Sequence, residues 1–338
     1  MRFVPIIGAA VGLTALGALV VHFGADAVIR SLVAIGWGGF TAICLIHLAL
    51  IAVMGIAWWA LASAAPAWVF IWGRLTRDAG SEVLPLSQMG GTVLGARAVA
   101  LAGVSGPVAT ASTIVDLTLE FFAKLAYTAV GLVLLVHLRP DLPVALPITT
   151  GIAVAALVAI AFVVVQRHGF ALFDRLARAL GRGWADRTAA GAASVHTELG
   201  HAYRRKSGLW VGFLLHLVCW VASALEVWIA LHLAGRALDF AAVLVIESLL
   251  YAIRTVAFAI PNAVVQEGAY ILLGGAFGLT PEMALALSLL KRARDLAIGL
   301  PVLGAWQAVE GGRLWRRLAS SVALPVAKAA RTWGEDRG

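Results

Sequence analysis

Charge is scarce in this sequence: Asp, Glu, Lys and Arg make up 13% of the 338 residues, about half the share in an average soluble domain. Apolar residues supply 61% and the mean hydropathy is +0.92, which excludes a water-soluble domain and reads as a polytopic membrane protein. Cysteine is nearly absent. Cys44 and Cys219 lie far apart in apolar runs, with no C-x-x-C and no neighbouring metal-type histidines, so neither a disulfide framework nor a cysteine-zinc site is expected. Phosphate-binding, nucleophile-elbow and zinc-protease signatures are missing, as is a long polar region able to bind ATP or an aminoacyl-tRNA. The expectation is a non-enzyme with no cofactor and no metal.

What is present is length and apolarity. Stretches at 3–23, 38–64, 107–138, 144–166, 209–233 and 282–309 can each cross ~30 Å of hydrocarbon as a helix. The first, about 19 apolar residues, reads as a span rather than a cleaved signal peptide. Two stretches are too interrupted for simple spans: 81–106, with Pro85, Gly90, Gly91 and Gly95, and 240–280, divided at Pro261-Asn262. Broken apolar segments at membrane depth need a protein cavity to satisfy their backbone. The expected fold is therefore an all-α integral membrane bundle of about six spans plus two re-entrant broken-helix pairs, forming one domain over 1–338.

The formal net charge of +8 is concentrated in 168–206 and 313–337. By the positive-inside rule the 167–206 loop is cytoplasmic, and so are the N-terminus and the basic 310–338 tail. Within that loop Phe170, Phe173, Leu176 and Leu180 recur at helical spacing, as in a helix lying among headgroups. Such basic segments suit anionic lipid rather than nucleic acid. This topology makes 37–138 and 209–309 an inverted repeat. His47-Leu48 precedes Trp59 as His216-Leu217 precedes Trp228, and Pro107 and Pro281 open the last span of each unit.

Charge inside spans costs roughly 2.5–3.5 kcal/mol per residue at a helix centre, so it marks structure or function. Asp116, Glu120 and Lys124 stand four apart on one helical face; Glu120 with Lys124 reads as an internal ion pair, which leaves Asp116 over. Lys291, Arg294 and Asp295 share one side of the last span, with Arg292 about 100° away. Asp116 and Glu267 are the expected partners of the Lys291/Arg294 face. Arg254, before the Pro261 break, is grouped with Gln266 and Glu267 in a polar pocket, and Arg97 does the same from the other side. Glu226 and Glu247 read as isolated carboxylates in apolar surroundings.

Five segments in order, Gly95-Ala96-Arg97, Ser112 to Glu120, Glu247-Ser248-Leu249 through Arg254, Gln266 to Tyr270 and Ala286 to Asp295, resemble the HpnL-type branch of the lysylphosphatidylglycerol-synthase transmembrane, flippase-like family. The resemblance covers about 37–310. It implies a hopanoid-associated membrane protein implicated in moving hopanoids out of the inner membrane, without synthase activity. It departs after Pro261, where Asn262, Val264 and Val265 replace the family's usual glycine-rich stretch. On this reading Arg97, Asp116, Glu120, Arg254, Gln266, Glu267, Lys291, Arg294 and Asp295 line a lipid-headgroup path. The sequence leaves open a non-transporting accessory protein of hopanoid or isoprenoid-lipid biosynthesis, a small-solute secondary transporter, and assembly with itself or with biosynthetic partners.

Overall fold

The computed structural model describes residues 25–83, 88–141, 182–256 and 262–335, with isolated positions between 150 and 164. Among the described residues there are nine α-helices and no strand: α1 (Ala25–Ala62), α2 (Ala67–Val83), α3 (Gln88–Leu101), α4 (Gly106–Leu138), α5 (Arg182–Arg204), α6 (Lys206–Leu233), α7 (Phe240–Val256), α8 (Asn262–Ala276) and α9 (Pro281–Glu335). Three are long and apolar enough to cross a membrane, over Ile35–Ala62, Gly106–Leu138 and Lys206–Leu233. The expected 282–309 span lies in α9 and carries Lys291, Arg292, Arg294 and Asp295, too much charge to pass on apolarity. The expected 3–23 span and most of 144–166 lie outside the described residues.

Local chemistry sets the boundaries. In α1 the backbone is non-helical at Gly36, with φ +67°, where a residue with a Cβ is strained. Ser105 stands at the N-cap position of α4 without a side-chain capping bond, and Pro107 follows in the first turn, where a proline loses no helix bond. Thr280 stands before Pro281 at the start of α9, its Oγ1 accepting from the Met283 N–H at 3.4 Å. Gly278, at φ +80°, lets the chain turn back after α8 so that the Leu279 N–H reaches the Gly274 carbonyl at 2.9 Å.

The order long, short, short, long occurs twice, as α1–α4 and as α6–α9. The four short helices of 17, 14, 17 and 15 residues measure about 26, 21, 26 and 22 Å, less than the ~30 Å hydrocarbon thickness. α1 and α6 run antiparallel: Gly39 abuts Leu233, the Cys219 thiol meets the Leu50 carbonyl, and Gly208 abuts Ala60. Contacts exchange between halves, α4 packing on α7 as α9 packs on α2, and α4 on α6 as α9 on α1. The two hairpins open at opposite ends. Val69, Val99, Val104 and Ala109 gather the ends of α2–α3 with the start of α4, while Arg139 donates to the Ala276 carbonyl and so ties the end of α8 to the end of α4. Arg139 also chelates Asp141 at 2.7 and 2.9 Å, which holds that carboxyl below its ordinary value.

Two boundaries differ from expectation. The first interrupted stretch is not 81–106: the hairpin begins at Ala67, and Gly91 and Gly95 lie inside α3 rather than at a break. They are packing residues. A Cβ on Gly95 would stand 2.8 Å from the Gly73 carbonyl, and one on Gly91 would collide with Ser81 and the Arg77 carbonyl, so α2 and α3 touch backbone to backbone, as small residues permit between helices in lipid. The second difference is α5, which occupies 182–204 where a loop was expected and buries Leu199 and Ala202 against Leu61, Ala111 and Val115. The amphipathic pattern at 170–180 lies outside the described residues.

Candidate functional site

Each hairpin brings charge to the middle of the bundle, and each long helix that follows brings the opposite sign. In the N-terminal half α2 supplies Arg74 and Arg77, one turn apart on the face turned to α4. Arg74 forks onto Glu120 at 2.9 and 3.3 Å and donates through Nε to Asp78 at 3.0 Å. Arg77 bridges Asp116 at 2.9 Å and Glu120 at 2.6 Å. The second Asp116 oxygen lies 2.9 Å from His216 Nε2 on α6. Lys124 adds a third cation to Glu120 at 3.0 Å, with its ammonium 4.6 Å above the Trp220 ring. Bidentate guanidinium contacts of this kind are what make buried carboxylates tolerable.

In the C-terminal half the signs are exchanged. Glu247 on α7 accepts Lys291 of α9 at 2.6 Å, and Tyr270 of α8 bonds both Glu247 and Lys291. Arg294, one turn on, binds Glu226 of α6 and its own neighbour Asp295. Glu226 is shared with His47 of α1, whose Nδ1 stands 3.0 Å from Oε1. Glu267 accepts Arg292 and Ser288 at 3.0–3.1 Å, and Gln266 donates to Ser288.

The ends of α2 and α7 meet. Arg254, near the end of α7, donates to Glu82, near the end of α2, at 2.9 and 3.2 Å, and to Gln266 at 3.4 Å. Around this contact lies a cavity of about 220 Å³ reached by both hairpins and by α1, α4, α6 and α9. Among the described residues, six Lys/Arg side chains and five carboxylates line it, and His47 is its one histidine. Leu50, Met54, Leu117 and Trp220 supply apolar wall. The volume is below the ~300–1,000 Å³ of pockets that swallow a whole drug-sized ligand.

Of the nine residues expected on a headgroup path, Glu120, Arg254, Gln266, Lys291, Arg294 and Asp295 line this cavity. Asp116 stands behind Arg77 and Glu267 beside Arg292. Arg97 is elsewhere: its side chain is 52% exposed and pairs with Glu310, because α3 turns it outward while its neighbours Ala98 and Val99 are buried. The expected pairing is also corrected. Asp116 does not meet Lys291 or Arg294; the intervening α2 arginines take it, and Glu226 and Glu247 take the two bases instead. Glu267 goes to Arg292, the base expected to face away. Glu226 and Glu247 are accordingly not isolated. The Glu120–Lys124 pair is present, shared with both arginines.

Arg74, Arg77, Asp78 and Glu82 were missed because α2 fell between the apolar stretches counted as spans. Their signal is in the sequence: charges at three- and four-residue spacing directly after the apolar run Trp68-Val69-Phe70-Ile71, a helix with one charged face.

Residues 6–302 match the family model described as the lysylphosphatidylglycerol synthase TM region. The chain belongs to that family. No curated protein and no solved structure matches it. Family membership and the three apolar helices together make this a membrane protein, consistent with a lipid-related role.

Proposed function

We propose that this protein moves a polar-headed lipid across the bacterial inner membrane, the headgroup passing through the central cavity while the tail stays in the bilayer. The observation that carries this reading is the meeting of two sub-membrane-length hairpins, entering from opposite ends, at the Glu82–Arg254 contact beside a charge-lined, headgroup-sized cavity. Hairpins that stop inside the bilayer are tolerable where they line such a space. On this reading they are re-entrant, the two four-helix units form an inverted repeat, and alternate widening at either hairpin exposes the cavity to one side at a time.

The resemblance of the five motif segments to the HpnL-type branch supports hopanoid as cargo. A hopanoid carries a compact hydroxyl-bearing head on a rigid apolar body, and a cavity whose lining charges are largely paired with one another, and which offers many donors and acceptors, suits a head without net charge. A scaffold role in hopanoid or isoprenoid-lipid synthesis uses the same ion pairs only as helix clamps. Reconstitution into liposomes separates these readings. A fluorescent hopanoid and an NBD-labelled phosphatidylethanolamine are placed in the inner leaflet, and their arrival outside is followed by extraction and by dithionite quenching. Faster arrival of the hopanoid than in protein-free liposomes is expected. Protein-free rates for both lipids, from a folded sample, would reject transport of either.

A further inference from the structure

His47 and His216 hold matched places on the antiparallel helices α1 and α6, each followed by leucine and each twelve residues before a tryptophan, Trp59 and Trp228. Each contacts one carboxylate through one ring nitrogen, His47 with Glu226 at 3.0 Å and His216 with Asp116 at 2.9 Å. The resemblance ends there. The His216 side chain is 0% exposed, and its Nδ1 has no hydrogen-bond partner among the described residues. A second proton on that ring would sit unsatisfied, on an imidazole whose one carboxylate, Asp116, already holds Arg77 at 2.9 Å and Arg74 at 3.8 Å. The His47 side chain is 24% exposed and lines the cavity, so water or a proton can reach it.

The charges that face His47 come from every packed element. On α6 it meets Glu226; Lys291, Arg294 and Asp295 of α9 and Arg74, Arg77, Asp78 and Glu82 of α2 share its cavity wall. From α4 come Glu120 and Lys124, and from the second hairpin Arg254. Five carboxylates line the cavity, and Asp116 and Glu247 stand directly behind lining cations, which makes seven acids against six Lys/Arg. The network is one positive charge short of balance, and His47 is the lining group that can supply it. Imidazole is the side chain whose ordinary titration falls between about pH 5 and 8.

We propose that His47 is a reversible proton-binding site that couples lipid movement to protonation of the cavity. With the proton on, imidazolium and Arg294 grip opposite oxygens of Glu226 and tie α1 to α6 and α9. With the proton returned to water, Glu226 keeps Arg294 and a neutral imidazole, the network carries one uncompensated negative charge, and the α1 contact weakens. No bond other than the N–H is made or broken. The coupling rests on the lipid-moving reading above, whereas proton binding at His47 does not.

The test has two readouts on the full chain. Nitrogen-15 histidine spectra in nanodiscs, with His47 assigned by comparison with His47→Gln, should show His47 titrating between about pH 5 and 8. A His47 ring that holds one protonation state across that interval overturns the site. In liposomes carrying NBD-labelled phosphatidylethanolamine and the fluorescent hopanoid, the rate for whichever lipid moves should vary with pH by up to about tenfold per unit, the limit for one proton. His47→Gln, always neutral, and His47→Arg, always charged, should each give a flat profile in samples that elute as folded protein. A profile like the wild type's in either variant overturns the coupling. If neither lipid moves in the wild type at any pH, the transport reading fails and the coupling with it, while the spectra still decide whether His47 binds a proton.

Discussion

The two halves solve the same problem with opposite signs. In the first, the hairpin gives the central pairs their bases and the long helix their acids, Arg74 and Arg77 against Asp116 and Glu120; in the second, the hairpin brings Glu247 and the long helix brings Lys291 and Arg294. Each half thus neutralises most of its own buried charge, which the cost of an unpaired ion at this depth demands. In the middle of the bundle, the side-chain hydrogen bonds of His216 with Asp116, His47 with Glu226 and Arg254 with Glu82 then cross between halves. If the halves move against one another, those three bonds must be remade while the strong internal pairs persist.

The largest effect is expected from the pairing inside one half. Asp116→Ala strips Arg77 of one carboxylate and leaves His216 without its acceptor, and should cost about 3–5 kcal/mol in equilibrium unfolding from mixed micelles. Combined with Arg77→Ala the losses should be non-additive, because one change removes the charge the other stranded. Combined with Arg294→Ala they should add within about 0.5 kcal/mol, since Arg294 binds in the other half. Strong coupling between Asp116 and Arg294 would break the division into two self-neutral networks.

A charge exchange sharpens the same comparison. Glu247→Lys and Lys291→Glu should each destabilise through two like charges facing across a distance that is now 2.6 Å. Made together they give the second half the signs of the first and should recover about 0.5–3 kcal/mol of the combined loss. Failure to recover any of it would mean that Tyr270, which bonds both partners, dictates which end is acidic.

How far the sequence foretold this follows from where each charge sits. Helix content, the membrane class and a pair of short helices on either side of 257–261 were legible because apolar length and its interruption act locally. Asp116, Glu120, Lys291 and Arg294 were legible as buried charge because each interrupts a long apolar run. Their partners were not. Pairing across the bundle depends on which helices neighbour α4 and α9, and α2, which supplies the arginines, holds Arg74, Arg77, Asp78 and Glu82 within 17 residues and so escapes any search for apolar spans. Gly91 and Gly95 misled for a related reason: glycine marks both a chain break and a close helix crossing, and only the position of Gly73 and Arg77 on the facing helix decides between them.

A smaller effect is expected at Lys124. Glu120 keeps two guanidiniums without it, so Lys124→Met should cost only about 1.5 kcal/mol in the same unfolding measurement, yet it removes the half-buried ammonium that faces the cavity beside Trp220. Lipid movement in liposomes should fall more than stability does. A stability loss as large as that of Asp116→Ala, with lipid movement unchanged, would place Lys124 among the helix clamps rather than on the headgroup path.

The smallest effect is expected outside the comparison altogether. Arg97 belongs to the first hairpin by sequence, and its neighbours in α3 pack tightly against α2, but its guanidinium points away from the cavity to Glu310 on α9. The pair is solvent-accessible, with 52% and 26% of the two side chains exposed, and exposed pairs typically contribute about 0.2–1 kcal/mol because screening and side-chain ordering offset the attraction. Arg97→Ala should therefore shift stability by less than 1 kcal/mol and leave the liposome rate of the fluorescent hopanoid where it was. A large fall in that rate with stability intact would show that the α3–α9 contact changes during transport, and it would move the boundary of the working site from the cavity to the outer end of the first hairpin.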